Sequence, residues 1–256
     1  MLGLALSLER QRGQPILAAT QAVINAATTP PAAARVVLIN NLIASLQAGG
    51  VWSRLDCLWI LAAADSQIAL LNWINPGTNN LSNAGSITFT ADKGFTSDGI
   101  STLTGPNPTS QLSLYTLNSA HMGVWCGTDA TETIADFHNG GANSSIRAHS
   151  GATTALTRSN DGANATPTIS PATAVGHTSW SRDSSTTNQV YKNGSNIASP
   201  NNTSTSVPNA ACTVCGGAAA FSTKRIAGAH LGSSLTATQM SACYSALNTY
   251  MTAVGA

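Results

Sequence analysis

The chain has 256 residues and a formal net charge of +1, and only 8% of its residues are charged, against about 25% in an average soluble protein. Apolar residues make up 43%, which excludes a segment held unfolded by its own charge. A net charge this close to zero produces no electrostatic attraction for nucleic acid or an anionic membrane surface. No run of the sequence reaches the roughly 20 apolar residues of a membrane span.

The N-terminal part is predicted to be an arm followed by helices. Residues 1–13 have the pattern of an extended apolar arm, and Pro15 can open a first helix. Residues 32–47 carry apolar side chains at helical spacing around much of the circumference. A helix of this kind needs partners on more than one side, either within its own domain or on other subunits.

Residues 51–73 are rich in tryptophan and leucine and also predict helix. A break is expected at Asp65 and Ser66, where either side chain can cap a second short helix. After this segment the pattern changes to alternation with period two and to frequent turn residues. We therefore predict an assembly part in residues 1–75 and a β-sandwich in residues 76–256.

Short alternating segments separated by turns fill the second part. Turn signals recur about every 8 to 12 residues, the spacing that a sandwich of short strands requires. The predicted strands cover residues 87–90, 112–117, 121–126, 135–138, 145–149, 154–158, 212–216 and 225–231.

The clearest hairpin signal is Asn193-Gly194, because a type I′ turn needs a positive φ at both central residues. Upstream of it, Trp180 and Arg182 share one face of a predicted strand. The expected cross-strand pairs are Lys192 with Ser195, Tyr191 with Asn196, and Val190 with Ile197.

A helix is predicted at the end of the chain, over residues 236–254. Thr236 and Gln239 have the spacing of a capping box, and Gly255 can terminate the helix. Its apolar side chains fall on one stripe, so it is expected to pack on the sandwich or on the N-terminal helices.

Four segments in this order resemble one group of proteins: residues 55–77, 89–99, 177–195 and 224–255. Together, residues 51–256 resemble the laminin-G-like, concanavalin A-like domains of virion and tail proteins of tailed bacteriophages. The resemblance implies a mainly β, two-sheet jelly roll. It also implies a non-enzymatic virion component (capsid decoration, tail or fibre) whose arm and helices contact other virion proteins, with a homo-oligomer expected.

The alternative hypothesis is an adhesin that binds host surface polysaccharide. The candidate glycan contacts are Trp125, Trp180, Tyr191 and Asn193. For the two tryptophans, core packing is the competing interpretation, because both lie within apolar alternation.

A glycan-degrading enzyme is a third hypothesis and needs two paired carboxylates. The best candidates are Glu132 and Asp136, but four residues along a strand would separate them by about 13 Å, too far for either glycosidase mechanism. No G-x-S-x-G motif indicates a serine hydrolase. We therefore predict no enzymatic activity.

No cofactor or metal is predicted. Cys212 and Cys215 form a lone C-x-x-C without a second pair, and all five cysteines are interpreted as buried thiols. A calcium site would use acidic and amide oxygens, for which Asp129, Asp136, Asn160 and Asp161 are candidates without a selective spacing. Surface or hydrogen-bonded core positions are expected for the five histidines: His121, His138, His149, His177 and His230.

Overall fold

The computed structural model describes residues 15–83, 85–139, 143–217 and 220–256, so the predicted arm at residues 1–13 lies outside the described residues. Two antiparallel sheets pack face to face, with short helices at the N-terminal end and a long helix at the C-terminal end. The prediction of a mainly β sandwich with these helices is confirmed.

The helices are α1 (Ala18–Ala26), α2 (Ala33–Ala48), α3 (Ser66–Leu70), α4 (Pro108–Gln111) and α5 (Ala237–Val254), with a 3₁₀ turn at Trp52–Arg54. The strands are β1 (Leu55–Trp59), β2 (Ser82–Asn83), β3 (Thr88–Thr90), β4 (Gly94–Thr96), β5 (Leu103–Thr104), β6 (Ala120–Cys126), β7 (Phe137–Asn139), β8 (Ser144–Gly151), β9 (Thr154–Ser159), β10 (Gly176–Arg182), β11 (Asn188–Lys192), β12 (Ser195–Ala198), β13 (Cys212–Val214) and β14 (Arg225–Gly232). The eight-stranded sheet runs β12-β11-β10-β6-β14-β4-β3, with β1 also paired to β14, and the six-stranded sheet runs β2-β5-β13-β7-β8-β9.

The helical prediction for residues 51–73 is wrong at its centre, because Leu55–Trp59 is strand β1 and pairs with β14. Four of its five residues are buried, so the strand shows no alternation between apolar and polar positions. The predicted cap is confirmed further on, where Asp65 accepts hydrogen bonds from the backbone N–H groups that start α3. The division of the chain at residue 75 stays a prediction, although β1 belongs to the eight-stranded sheet.

The predicted strand at residues 112–117 is also wrong, since this segment is a loop with one isolated bridge at Thr116. The carboxylate of Asp56 accepts hydrogen bonds from the N–H groups of Ser113, Leu114 and Tyr115 at 2.8 to 3.2 Å. Those donors are therefore satisfied by one side chain and have no need of a neighbouring strand.

The hairpin between β11 and β12 forms at the predicted turn, with φ of 49° at Asn193 and 76° at Gly194. Two of the predicted pairs, Lys192 with Ser195 and Tyr191 with Asn196, are confirmed, and the third is wrong because Val190 pairs with Ala198. A register shift absorbs one extra residue there.

Helix α5 begins with the predicted capping box and ends at Gly255 in the left-handed conformation. It covers the outer face of the eight-stranded sheet, where Tyr244 stacks on Trp125 of β6 with 6.0 Å between ring centroids. It also packs against α2, where Arg35 donates a hydrogen bond to the hydroxyl of Tyr250. The C-terminal helix therefore closes one of the two outer faces of the sandwich.

Candidate functional site

The outer face of the six-stranded sheet carries a continuous row of polar side chains. In an antiparallel sheet, residues directly opposite each other lie on the same face. The pairing of the six strands therefore places one residue from each strand in a single line across the sheet. This polar row consists of Ser82, Thr104, Thr213, His138, Ser145 and Arg158.

Five of the six side chains of the polar row are exposed or half-buried, and the sixth, Ser145, is 5% exposed. Ser82 is exposed and Thr104, Thr213, His138 and Arg158 are half-buried. The adjacent row, Leu103, Val214, Phe137 and Ile146, is fully buried in the core. The row is thus the outward side of strands whose inward side holds the sandwich together.

Positive charge is concentrated at one end of the row. Arg147 lies two residues beyond Ser145 on β8 and therefore on the same face, opposite Leu156. Partial burial, with the neighbouring charge of Arg158 as a second cause, lowers the pKa of Arg147. Its Nε is buried and has no hydrogen-bond acceptor among the described residues. Arg158 is oriented by a 2.7 Å hydrogen bond from its Nε to Asn164.

The carboxylates proposed for glycosidase chemistry are bound by protein groups. Asp136 is fully buried and accepts from Lys224, at 3.0 Å, and from Ser222, at 2.7 Å. Desolvation alone would lower the pKa of Lys224, but the carboxylate of Asp136 outweighs it and the pKa is raised. Glu132 instead accepts hydrogen bonds from Thr223. The segment between Glu132 and Asp136 is irregular, so its assignment to a strand was wrong.

The four candidate glycan contacts do not form a common surface. Trp180 and Tyr191 are fully buried, and Trp125 is 7% exposed beneath α5. Asn193 lies in the hairpin turn, where its Oδ1 accepts a hydrogen bond from His177 N at 2.9 Å. Both tryptophans pack in the interior, as the competing interpretation expects. Glycan contact by these four residues stays a prediction.

The candidate calcium donors are also engaged within the protein. Asp129 accepts from the N–H of Ala174 and lies 2.8 Å from Nδ1 of His149. Asp161 pairs with the buried guanidinium of Arg182 at 2.8 Å. Over the described ranges, no group of three or more His, Cys, Asp or Glu side chains is arranged to hold a metal ion. The five cysteines are buried free thiols, as predicted from their number and spacing.

Sequence reasoning missed a buried chain of three imidazoles beneath α5. Nε2 of His121 lies 3.0 Å from Nδ1 of His230, and Nε2 of His230 lies 2.9 Å from Nε2 of His177. Desolvation lowers the pKa of His121 to about 4 and that of His177 to about 3, and it lowers the pKa of His230 well below its ordinary value. The three residues come from β6, β10 and β14, which are neighbours only in the folded sheet.

No family model matches the chain, and no curated protein matches it. Among solved structures it is similar to the binding domain of a Paraclostridial mosquitocidal protein, with a TM-score of 0.51 at 11% identity over 75% of this chain and 52% of that one. It is similar to botulinum neurotoxin type C, with a TM-score of 0.50 at 11% identity over 78% of this chain and 53% of that one. It is also similar to Trypanosoma rangeli sialidase, with a TM-score of 0.50 at 10% identity over 84% of this chain and 40% of that one.

These similarities establish a shared β-sandwich fold, and the chain spans about half or less of each of these proteins. In the described part of the chain, none of the helices combines the length and apolarity needed to cross a bilayer.

Proposed function

We propose that this chain is a non-catalytic carbohydrate-binding module and that it binds glycans on the polar row. The observation that carries the proposal is the row itself, a line of hydroxyl, imidazole and guanidinium groups on the outward face of the six-stranded sheet. Cell entry of the botulinum neurotoxin with a similar fold depends on interaction with two ganglioside molecules, which supports a glycan role on this fold.

The spacing and chemistry of the row suit an extended sugar chain. Neighbouring strands lie about 4.8 Å apart, so the row offers a hydrogen-bonding group at regular intervals. Hydroxyl groups both donate and accept, which matches the hydroxyls of a sugar ring. The exposed large apolar side chains among the described residues are Ile16, Ile100 and Val175, none of which is aromatic. Recognition on this face therefore depends on polar contacts.

A glycan array probed with the full chain tests this proposal, with Thr104→Val and Thr213→Val as variants. Each substitution keeps the side-chain shape and removes one hydroxyl, so we expect affinity to fall by about fivefold per residue. Thr249→Val is the matched control, because Thr249 is exposed on α5 on the opposite side of the sandwich. An array without signal, or variants that bind as well as the parent, would refute the proposal.

The absence of catalysis is part of the proposal. It is supported by the engagement of Asp136 with Lys224 and of Glu132 with Thr223, which leaves neither carboxylate placed as a general acid opposite a second one. Incubation of the parent chain and Glu132→Gln with each glycan found on the array should release no reducing sugar. Product formation by the parent that Glu132→Gln abolishes would overturn it.

A virion component is the second candidate, and the placement of the helices favours it. Helices α2 and α5 form a layer on the side opposite the polar row, with a groove of about 210 Å³ lined by Leu38, Leu42, Ala246 and Tyr250 among others. A chain of this shape could dock through its helical layer and display the polar row. Mass spectrometry of purified phage particles tests this role. Particles that do not contain the protein would rule it out.

A further inference from the structure

We propose that the glycan bound by the polar row is an acidic polysaccharide whose carboxylates are recognised by Arg147 and Arg158. This inference rests on the proposed function, since it names the ligand class of the same site. It would make the module a reader of uronic or other carboxylated sugars, and it predicts that neutral polysaccharides bind weakly.

The first argument is the distribution of charge over the six-stranded sheet. The sequences of its six strands contain two arginines and two histidines but no aspartate or glutamate. In the adjoining segments, Asp136 and Asp161 are buried and form ion pairs with Lys224 and Arg182 of the other sheet and its flank. Asp129, by contrast, is exposed and lies 2.8 Å from Nδ1 of His149 on β8. The strands of this sheet therefore contribute two positive charges, Arg147 and Arg158, to its outward face and no negative one, in a chain that is nearly neutral overall.

The second argument is the geometry of the two guanidinium groups. Arg158 lies opposite Ser145, and Arg147 lies two residues further along β8, so the two arginines are diagonal neighbours on one face. Diagonal neighbours across a strand pair are about 7–8 Å apart. The charge of Arg158 contributes to the lowered pKa of Arg147, so the two guanidinium groups repel each other, and a bound anion would offset that repulsion. Such a pair also spans a carboxylate better than it spans a neutral hydroxyl.

The third argument concerns the hydrogen-bonding state of Arg147. Its Nε has no acceptor among the described residues, although the atom is shielded from solvent. A guanidinium binds a carboxylate through two parallel N–H donors, one of which can be Nε. Because solvent does not reach Nε in this conformation, a carboxylated sugar on this face would supply the acceptor once the half-buried side chain of Arg147 turns toward it.

The test compares polygalacturonate with its methyl ester, which keeps the backbone and removes the charge. Isothermal titration with the full chain should give at least about tenfold tighter binding of polygalacturonate, and Arg147→Gln should weaken that binding by about tenfold or more. Arg147→Lys, which keeps the charge but loses the paired donors, should weaken it severalfold. Arg54→Gln is the matched control, because Arg54 is exposed and lies outside the six-stranded sheet.

The outcomes separate this inference from the proposed function. Equal binding of the acid and the ester, both weakened by Thr104→Val, would overturn the acidic ligand and leave glycan binding intact. Binding of dextran sulfate without binding of polygalacturonate would indicate attraction to any dense polyanion and would also overturn it. If Arg147→Gln has an unchanged urea midpoint and binds polygalacturonate as tightly as the parent chain, Arg147 is excluded from the site.

Discussion

Acidification should destabilise this protein through the three imidazoles buried beneath α5. His121, His177 and His230 form a hydrogen-bonded chain, and each is fully or almost fully shielded from solvent. Burial lowers the pKa of each one below its unfolded value of about 6.5. The unfolded chain therefore takes up more protons than the folded one as the pH falls, and stability is lost below about pH 6.5.

The size of the effect follows from the pKa values. At about pH 5, an unfolded histidine is largely protonated, whereas His121, with a pKa of about 4, and His177, with a pKa of about 3, remain neutral in the fold. Each histidine then costs about 2 kcal/mol of unfolding free energy, or about 6 kcal/mol for the three. A loss of this size is comparable with the whole stability of a typical domain, about 5–15 kcal/mol.

Urea unfolding at about pH 7.5, 6 and 5 measures this loss directly. The uptake of three protons on unfolding predicts that the free energy of unfolding falls by about 4 kcal/mol per pH unit below pH 6. His177→Gln should reduce this slope by about a third. His138→Gln is the matched control, because it removes an imidazole that lies on the six-stranded sheet, outside the histidine chain. A parent chain that is equally stable at pH 7 and 5, or a slope that His177→Gln does not alter, would refute the reasoning.

Three further predictions concern stability. Thr236→Ala removes the hydroxyl of the capping box and should cost about 1 kcal/mol in urea unfolding, whereas Thr236→Ser should cost little. Asp136→Ala leaves the ammonium group of Lys224 buried without its partner and should cost about 3–5 kcal/mol of unfolding free energy. The double variant Asp136→Leu, Lys224→Met removes both charges and should recover most of this loss. A double variant as unstable as the single one would contradict this prediction. Gly194→Ala places a side chain at φ of 76° and should cost about 1–2 kcal/mol in thermal unfolding, and an unchanged midpoint would contradict this.

Features that depend on a few adjacent residues could be predicted from the sequence. The turn at Asn193-Gly194 and the cap at Thr236 both form as expected, because their chemistry is complete within four residues. The register beyond the turn could not be predicted fully. Ile197 is an extra residue in the ladder, and nothing in the local sequence distinguishes it from a paired one.

Features that depend on contacts between distant segments could not be predicted. Strand β1 is covered on both sides, so its apolar run fits a buried helix as well as a buried strand. The polar row and the histidine chain both depend on the order of strands in a sheet, which the sequence does not state. His121 and His230 are 109 residues apart in the chain and 3.0 Å apart in the fold.

The two outer faces of the sandwich impose opposite conditions on charge, and Arg147 and Arg158 lie on the more open of the two. On the eight-stranded sheet, the imidazoles of His230 and His177 lie over Gly123, where a Cβ would come within 2.2 Å of Nε2 of His230. An ionised group there would lose its hydration without gaining a partner, so the imidazoles stay neutral. The face of the six-stranded sheet lets Arg147 and Arg158 keep both charge and partial contact with water. Removing charge from Arg147 should therefore change ligand affinity far more than stability, whereas adding charge to the histidine chain should do the reverse.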